Sequence, residues 1–178
     1  MSNSILAISG SNRKGSINSS ILRALAKTDS RVRFIELNDF ELPLYSGDIE
    51  ANQGIPENAS NLQKIFGEYN KLIISTPEYN GFFTPVLKNT FDWMSRPNGA
   101  LGGKKSFENK NTFIMAASQG PLGGIRCLPF LRIYLNNLGA NVIPDQLALN
   151  VKNEMFDTEY NFTNSEILEK LSISLNKL

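Results

Sequence analysis

Three polar, glycine-bearing stretches hold the residue types that can grip an anion and a flat ring. The first is Gly10-Ser11-Asn12-Arg13-Lys14-Gly15-Ser16-Ile17-Asn18. A phosphate needs several N–H and O–H donors converging on a small volume. The start of a helix supplies backbone N–H groups and partial positive charge. Ser11, Ser16 and Asn18 add side-chain donors, and Arg13 adds a full charge with forked geometry. Gly10 and Gly15 let the backbone turn closely. The spacing comes near the nucleotide loop G-x-x-x-x-G-K-[ST], but Ser16 stands where that motif needs lysine, which argues against ATP or GTP. The fingerprint G-x-G-x-x-G is absent, which argues against a dinucleotide held in the Rossmann manner. Alone, the stretch reads equally as a Ser/Gly/Asn turn capping a helix.

The second stretch is Pro77-Glu78-Tyr79-Asn80-Gly81. Proline and glycine shape a rigid turn, Tyr79 offers an aromatic wall and Asn80 an amide. Backbone amides of a fixed loop can bond the polar edge of a ring. Alone, it reads slightly better as a strand-to-helix turn with an exposed tyrosine. The third is Ser118-Gln119-Gly120-Pro121-Leu122-Gly123-Gly124, whose three glycines permit close backbone approach. Three such loops at the ends of apolar runs are harder to read as plain turns. FMN is the ligand whose phosphate and ring suit the first two.

The elements that must position these loops alternate between strand and helix patterns. Ile5–Ser9, Arg31–Leu37, Lys71–Thr76 and Asn111–Ala117 read as strands, and Asn141–Pro144 begins a short fifth. Ile17, Ile21, Leu22 and Leu25 recur at helical spacing. Pro56–Tyr69 is a helix candidate, and Thr84 with Pro85 caps and opens another. Pro121–Leu138 reads as a long helix stopped by Gly139. Thr163-Asn164-Ser165-Glu166 has the capping-box pattern before a last helix. The connections 38–56 and 96–110 read as polar loops. Apolar strands in βαβ order imply a parallel sheet with helices on both faces. The expected fold is a flavodoxin-like three-layer α/β/α sandwich, with a five-stranded sheet in order 2-1-3-4-5, which places FMN at the switch point between the first and third strands. The whole chain, 1–178, is expected to be one FMN-binding domain.

Composition narrows the function classes. The 178 residues suit one domain with a full core. A net charge of +1, from 18 basic and 17 acidic residues, offers no footprint for nucleic acid or a membrane surface. No apolar run approaches the ~20 residues of a membrane helix. The start, Met1-Ser2-Asn3-Ser4, lacks the basic region of a secretory signal. Cys127 is the single cysteine, so a cytoplasmic setting is expected. The chain has no histidine, which excludes a Ser-His-Asp triad, a Cys-His dyad and histidine-based zinc sites. Catalysis is therefore expected from a bound cofactor, with no catalytic side chain and no metal.

Gly10-Ser11-x-Arg13-x-x-Ser16-x-Asn18, followed by Pro77-Glu78-Tyr79-Asn80-Gly81-x-x-x-Pro85-x-Leu87-Lys88-Asn89-x-x-Asp92-Trp93, resembles the NADPH-dependent FMN reductase family of quinone, azo-dye and chromate reductases. The likeness extends through Gly123-Gly124-Ile125-Arg126. It implies that Ser11, Arg13, Ser16, Ile17 and Asn18 hold the FMN phosphate. Pro77, Glu78, Tyr79, Asn80 and Gly81 would hold the ribityl chain and ring, and Ser118, Gln119, Gly123 and Gly124 the ring's other edge. It also implies a homodimer or homotetramer with the flavin near the interface. The implied reaction passes hydride from NADPH or NADH to bound FMN, and then to a small-molecule acceptor such as free flavin, a quinone, an azo compound or chromate. Two other readings are an electron carrier of flavodoxin type without its own reductase activity, and a flavin-free interaction module. The near-neutral charge counts against the carrier, which is typically acidic.

Other residues take plainer readings. Trp93 is expected as a core or interface anchor, Lys88 as a solvated helical lysine and Cys127 as a buried, inert thiol. Phe82 and Phe83 are expected at a subunit interface, because two adjacent exposed phenylalanines endanger solubility. Gly99–Lys104 imitates a phosphate loop but precedes a strand rather than a helix.

Overall fold

The computed structural model describes residues 4–159 and 161–178. Met1-Ser2-Asn3, part of the start weighed above as a signal, lie outside the described residues. Five strands form one parallel sheet: β1 (Ile5–Ser9), β2 (Val32–Glu36), β3 (Lys71–Thr76), β4 (Asn111–Ser118) and β5 (Asn141–Asn150). Their spatial order is β2-β1-β3-β4-β5, the expected flavodoxin-like arrangement. The helices are α1 (Ile17–Thr28), α2 (Gly47–Gln53), α3 (Glu57–Gly67), α4 (Pro85–Met94), α5 (Leu128–Asn137) and α6 (Ser165–Leu175).

Strand alternation divides the core into two layers. Ile5 and Ala7 of β1, Ile73 of β3 and Phe113, Met115 and Ala117 of β4 pack with Ile21, Leu22 and Leu25 of α1 and Leu171 and Leu175 of α6. Leu6, Ile8, Leu72, Ile74, Ile114 and Ala116 face the other way, onto Leu62 and Phe66 of α3, Leu87 and Phe91 of α4 and Leu128, Leu131 and Leu135 of α5. Both faces are buried, which is why these strands are apolar throughout.

Several helix ends form as their sequences predict. The Ser16 side chain caps α1 by accepting from the Ser19 N–H. Thr84 caps α4, with Pro85 at its first position. Gly139, at φ 99°, ends α5: its N–H bonds Asn136 O and the Ala140 N–H bonds Leu135 O, the Schellman pattern.

Five features differ from expectation. The helix expected over Pro121–Leu138 starts only at Leu128, after a single 3-10 turn at Ile125–Cys127. Gly123 (φ 60°) and Gly124 (φ 88°) hold left-handed backbone that no α-helix accommodates. The fifth strand, expected to be short from its start at Asn141–Pro144, runs on to Asn150, because a register shift beside β4 takes up the segment that contains the proline. The connection at 38–56 contains α2, capped by Ser46. The cap of α6 is Asn164 rather than Thr163. In the loop at 96–110, Pro97–Asn98 and Leu101–Gly102 pair as a small hairpin, followed by a 3-10 turn at Gly103–Ser106.

Among the described residues, no helix is long and apolar enough to cross a membrane.

Candidate functional site

The chain leaves β1 toward β2 and later returns to lay β3 on β1's other side, so the carboxyl ends of β1 and β3 border a crevice. An open cleft of about 190 Å³ lies there, lined by Ser11, Arg13, Ser16, Ile17, Asn18, Pro77, Tyr79, Ala117, Ser118 and Gln119. Nine of the fourteen residues singled out from the sequence therefore meet in one place.

The wall at α1 is built for an anion. Ser11 folds the loop by accepting from the Arg13 N–H at 3.3 Å. Gly15 takes φ 68°, which turns the chain into the Ser16 cap. The backbone N–H groups of Ile17 and Asn18 open the helix and find no acceptor among the described residues. The exposed Arg13 guanidinium makes no ion pair among the described residues. Below the loop lies Ser9, on the sheet face that carries α1. Among the described residues, its Oγ is a buried side-chain oxygen without a hydrogen-bond partner. The N–H groups of Ile17 and Asn18, the Arg13 guanidinium and the Ser11 and Ser16 hydroxyls at the cleft make a donor set suited to a phosphate.

Asn18 behaves differently from expectation. Its Nδ2 donates to Ala117 O at 3.0 Å, while its Oδ1 accepts from the Ala117 N–H at 3.1 Å and from Ser75 Oγ at 2.7 Å. The side chain lines the cleft but pins α1 to β3 and β4; the contribution it leaves for a ligand is mainly its backbone N–H.

The opposite wall is a tight hairpin. Tyr79 and Phe82 exchange N–H···O bonds of 2.9 and 3.0 Å across Asn80 (φ 52°) and Gly81 (φ 84°). Positive φ at both central residues is the type I′ turn that Asn-Gly favours. Asn80 and Gly81 thus shape the turn, and Pro77 and Tyr79 face the cleft. The Glu78 side chain is engaged elsewhere, by Arg126. Thr84 binds this wall to the first loop by donating its hydroxyl to Gly10 O.

Ser118 and Gln119 close the third side, but Gly123 and Gly124 do not line the cleft. A Cβ on Gly123 would come within 2.7 Å of the Leu149 backbone, and one on Gly124 within 2.8 Å of Ala116 Cβ. These glycines let their loop pack on β5 and β4. Ala117 is the lining residue that sequence reasoning missed. An alanine inside an apolar strand carries no polar signal, and its place at the strand end was the only available clue.

The plainer readings fare well, with one exception. Trp93 is fully buried and donates to Pro43 O at 2.8 Å. Lys88 pairs with Asp92 one helical turn on. Cys127 is buried, and desolvation pushes its thiol up to about 12, so it is protonated at neutral pH. Phe82 is 44% exposed, but Phe83 is buried in the core at 3%. The two rings stack at 4.5 Å, so Phe83 is the floor on which the exposed ring rests.

The sequence profile described as NADPH-dependent FMN reductase matches residues 3–154. A quinone reductase of Escherichia coli K12 is 34% identical over 144 residues, covering 78% of this chain and 72% of its own. An NAD(P)H-dependent FMN reductase of Pseudomonas aeruginosa is 31% identical over 183 aligned positions, 98% of this chain and 96% of its own. Among solved structures, the flavoenzyme NAD(P)H:acceptor oxidoreductase FerB of Paracoccus denitrificans superposes with a TM-score of 0.80 at 24% identity, covering 98% of this chain and 93% of that one.

Proposed function

The chain belongs to the NADPH-dependent FMN reductase family, and on that premise we propose that it is an FMN-dependent oxidoreductase that carries electrons from NAD(P)H to a small-molecule acceptor. Free flavins, quinones, azo compounds and chromate are the candidate acceptors. The observation that carries this reading is the cleft at the β1/β3 switch point, with uncommitted donors on one wall and an aromatic hairpin on the other. FMN, when bound, supplies the two-electron transfer between nicotinamide and acceptor.

The chain's own residues bind and orient. Arg13, the Ser11 and Ser16 hydroxyls and the N–H groups at Ile17 and Asn18 hold the phosphate. Pro77 and Tyr79 border the ring, with Ser118 and Gln119 on its far side. Glu78, Asn80 and Gly81 fix the hairpin that presents Tyr79, and Gly123 and Gly124 seat the third loop. No titratable group is needed to move a proton, in keeping with a site that has no histidine. We read residues 1–178 as one domain serving this site, working in the cytoplasm. A homodimer is supported by an apolar patch: exposed Phe82 lies 4.8 Å from Phe130, and Ile133 follows one turn along α5.

The test is an absorption spectrum of the purified protein with FMN, followed by anaerobic NADPH. A yellow protein that bleaches on NADPH addition supports the reductase. A yellow protein that does not bleach identifies an electron carrier, and a protein that stays colourless with FMN overturns both readings.

A further inference from the structure

We infer that Arg126 is a positioning residue: its grip on the Glu78 carboxylate locks the Pro77–Phe82 hairpin, and with it the ring-side wall of the cleft, in the form that receives the flavin. The inference rests on the FMN reading above. Pro77 and Tyr79 line the cleft. Along an extended chain alternate side chains point opposite ways, so Glu78 between them faces away from the ligand space. Its side chain is 7% exposed, and one residue of another loop occupies both carboxylate oxygens. Arg126 Nε donates to Oε1 at 2.6 Å, Arg126 Nη2 pairs with the same oxygen, and the Arg126 backbone N–H donates to Oε2 at 3.0 Å.

The anchor end of this clamp is rigid. The loop that carries Arg126 is seated on β5 and β4 through Gly123 and Gly124, where a Cβ would strike strand atoms. Contact therefore runs from β5 through the glycine loop to Arg126, then to Glu78, and on to Tyr79. By contrast, the two backbone bonds of the hairpin, between Tyr79 and Phe82, are internal to it and do not tie it to the sheet. Phe82 leans on Phe83 and Phe130, which holds the tip by apolar contact only. With Arg126 removed, a nearly buried carboxylate is left without its cation, and the hairpin must shift to hydrate it. Arg126 itself is 64% exposed and outside the core, so its removal opens no cavity among the core side chains.

The experiment measures FMN affinity by quenching of flavin fluorescence, together with the visible circular dichroism of the bound flavin. The variants are Arg126→Ala, Arg126→Lys, Glu78→Gln and the double variant Glu78→Gln/Arg126→Ala. Arg126→Ala and Glu78→Gln are each expected to weaken FMN about tenfold, the worth of a charge-assisted hydrogen bond, and to alter the dichroic bands. The double variant is expected to be no worse than the weaker single, because both break one contact. Arg126→Lys recovers affinity only in part, since an ammonium cannot reproduce the fork. A purely structural loss would lower the melting temperature but leave the dichroism of the flavin that still binds unchanged. Wild-type affinity and dichroism in the single variants, or losses that add in the double, overturn the clamp. If the wild-type protein itself fails to bind FMN, the proposed function falls and the clamp with it. If it binds and the variants bind alike, only the clamp falls.

Discussion

Arg13 is where a single side chain decides most about the ligand. Its guanidinium stands at the cleft and makes no ion pair among the described residues, which leaves it available to an anion. Arg13→Ala is expected to weaken FMN by about 1.5–3 kcal/mol, the range for a hydrogen bond to a charged group, measured by flavin titration of the apoprotein. Asn18 presents the opposite case. Its amide satisfies both backbone groups of Ala117 and the Ser75 hydroxyl, so Asn18→Ala leaves three buried polar groups short of a partner. The expected cost is about 1–3 kcal/mol of folding stability in urea denaturation. Arg13, Ser11 and Ser16 were legible in the sequence because polar residues at a strand end have few internal uses. The commitment of Asn18 was not, since its partner at Ala117 lies 99 residues away along the chain.

Elements formed where local chemistry and packing agreed. Thr84-Pro85, Ser16 and Gly139 set helix ends as their residue types predict, because caps are satisfied within a few residues. The start of α5 and the length of β5 were misread because long-range contacts set them. Gly123 is left-handed so that its loop can lie on the Leu149 backbone, and β5 carries Pro144 by a shift in register. The two effects can be separated by mutation. Gly15 and Gly123 have similar positive φ, 68° and 60°, but a Cβ on Gly15 meets open space. Gly15→Ala should cost about 1–2 kcal/mol for strain alone. Gly123→Ala should cost more, because a Cβ there meets backbone that cannot rotate away, and the difference would appear as a lower urea midpoint.

At the scale of the molecule, α6 packs beside α1 and is tied to the connection between α1 and β2 by an ionic knot. Arg31 holds Asp29 through Nε at 2.9 Å and Nη2 at 2.6 Å, and bonds Asn176 through Nη1 at 2.8 Å; Ser172 donates to Asp29 at 3.0 Å. The Arg31 hydrogen bonds, opposed in part by burial, lower the Asp29 carboxyl to about 2. Because the folded value lies below the unfolded one, this stabilisation is complete above the ordinary carboxylate range and is lost as pH falls through about 2. It is worth up to about 2 kcal/mol. Acid titration followed by circular dichroism should show the wild type losing more stability between neutral and low pH than Asp29→Asn, which starts lower and has less to lose. The exposed Phe82, Phe130 and Ile133 set a second expectation at this scale. Sedimentation should show a dimer, and Phe130→Glu should shift it toward monomer, because a charge buried in an apolar interface lacks a partner.

The sequence by itself determined the alternation of strand and helix, the apolar strands of a two-faced sheet and the polar loops at three strand ends. Those features depend on residue type and short spacing, which are local. The tertiary structure decided which of those loops share a cleft and which of their polar groups remain free for a ligand. Asn18, Glu78, Gly123 and Gly124 carry residue types suited to a ligand, and each engages its side chain or its missing Cβ with other strands and loops. A hydrogen-bond donor can be counted from sequence, but whether it is already spent depends on partners that only folding brings within reach.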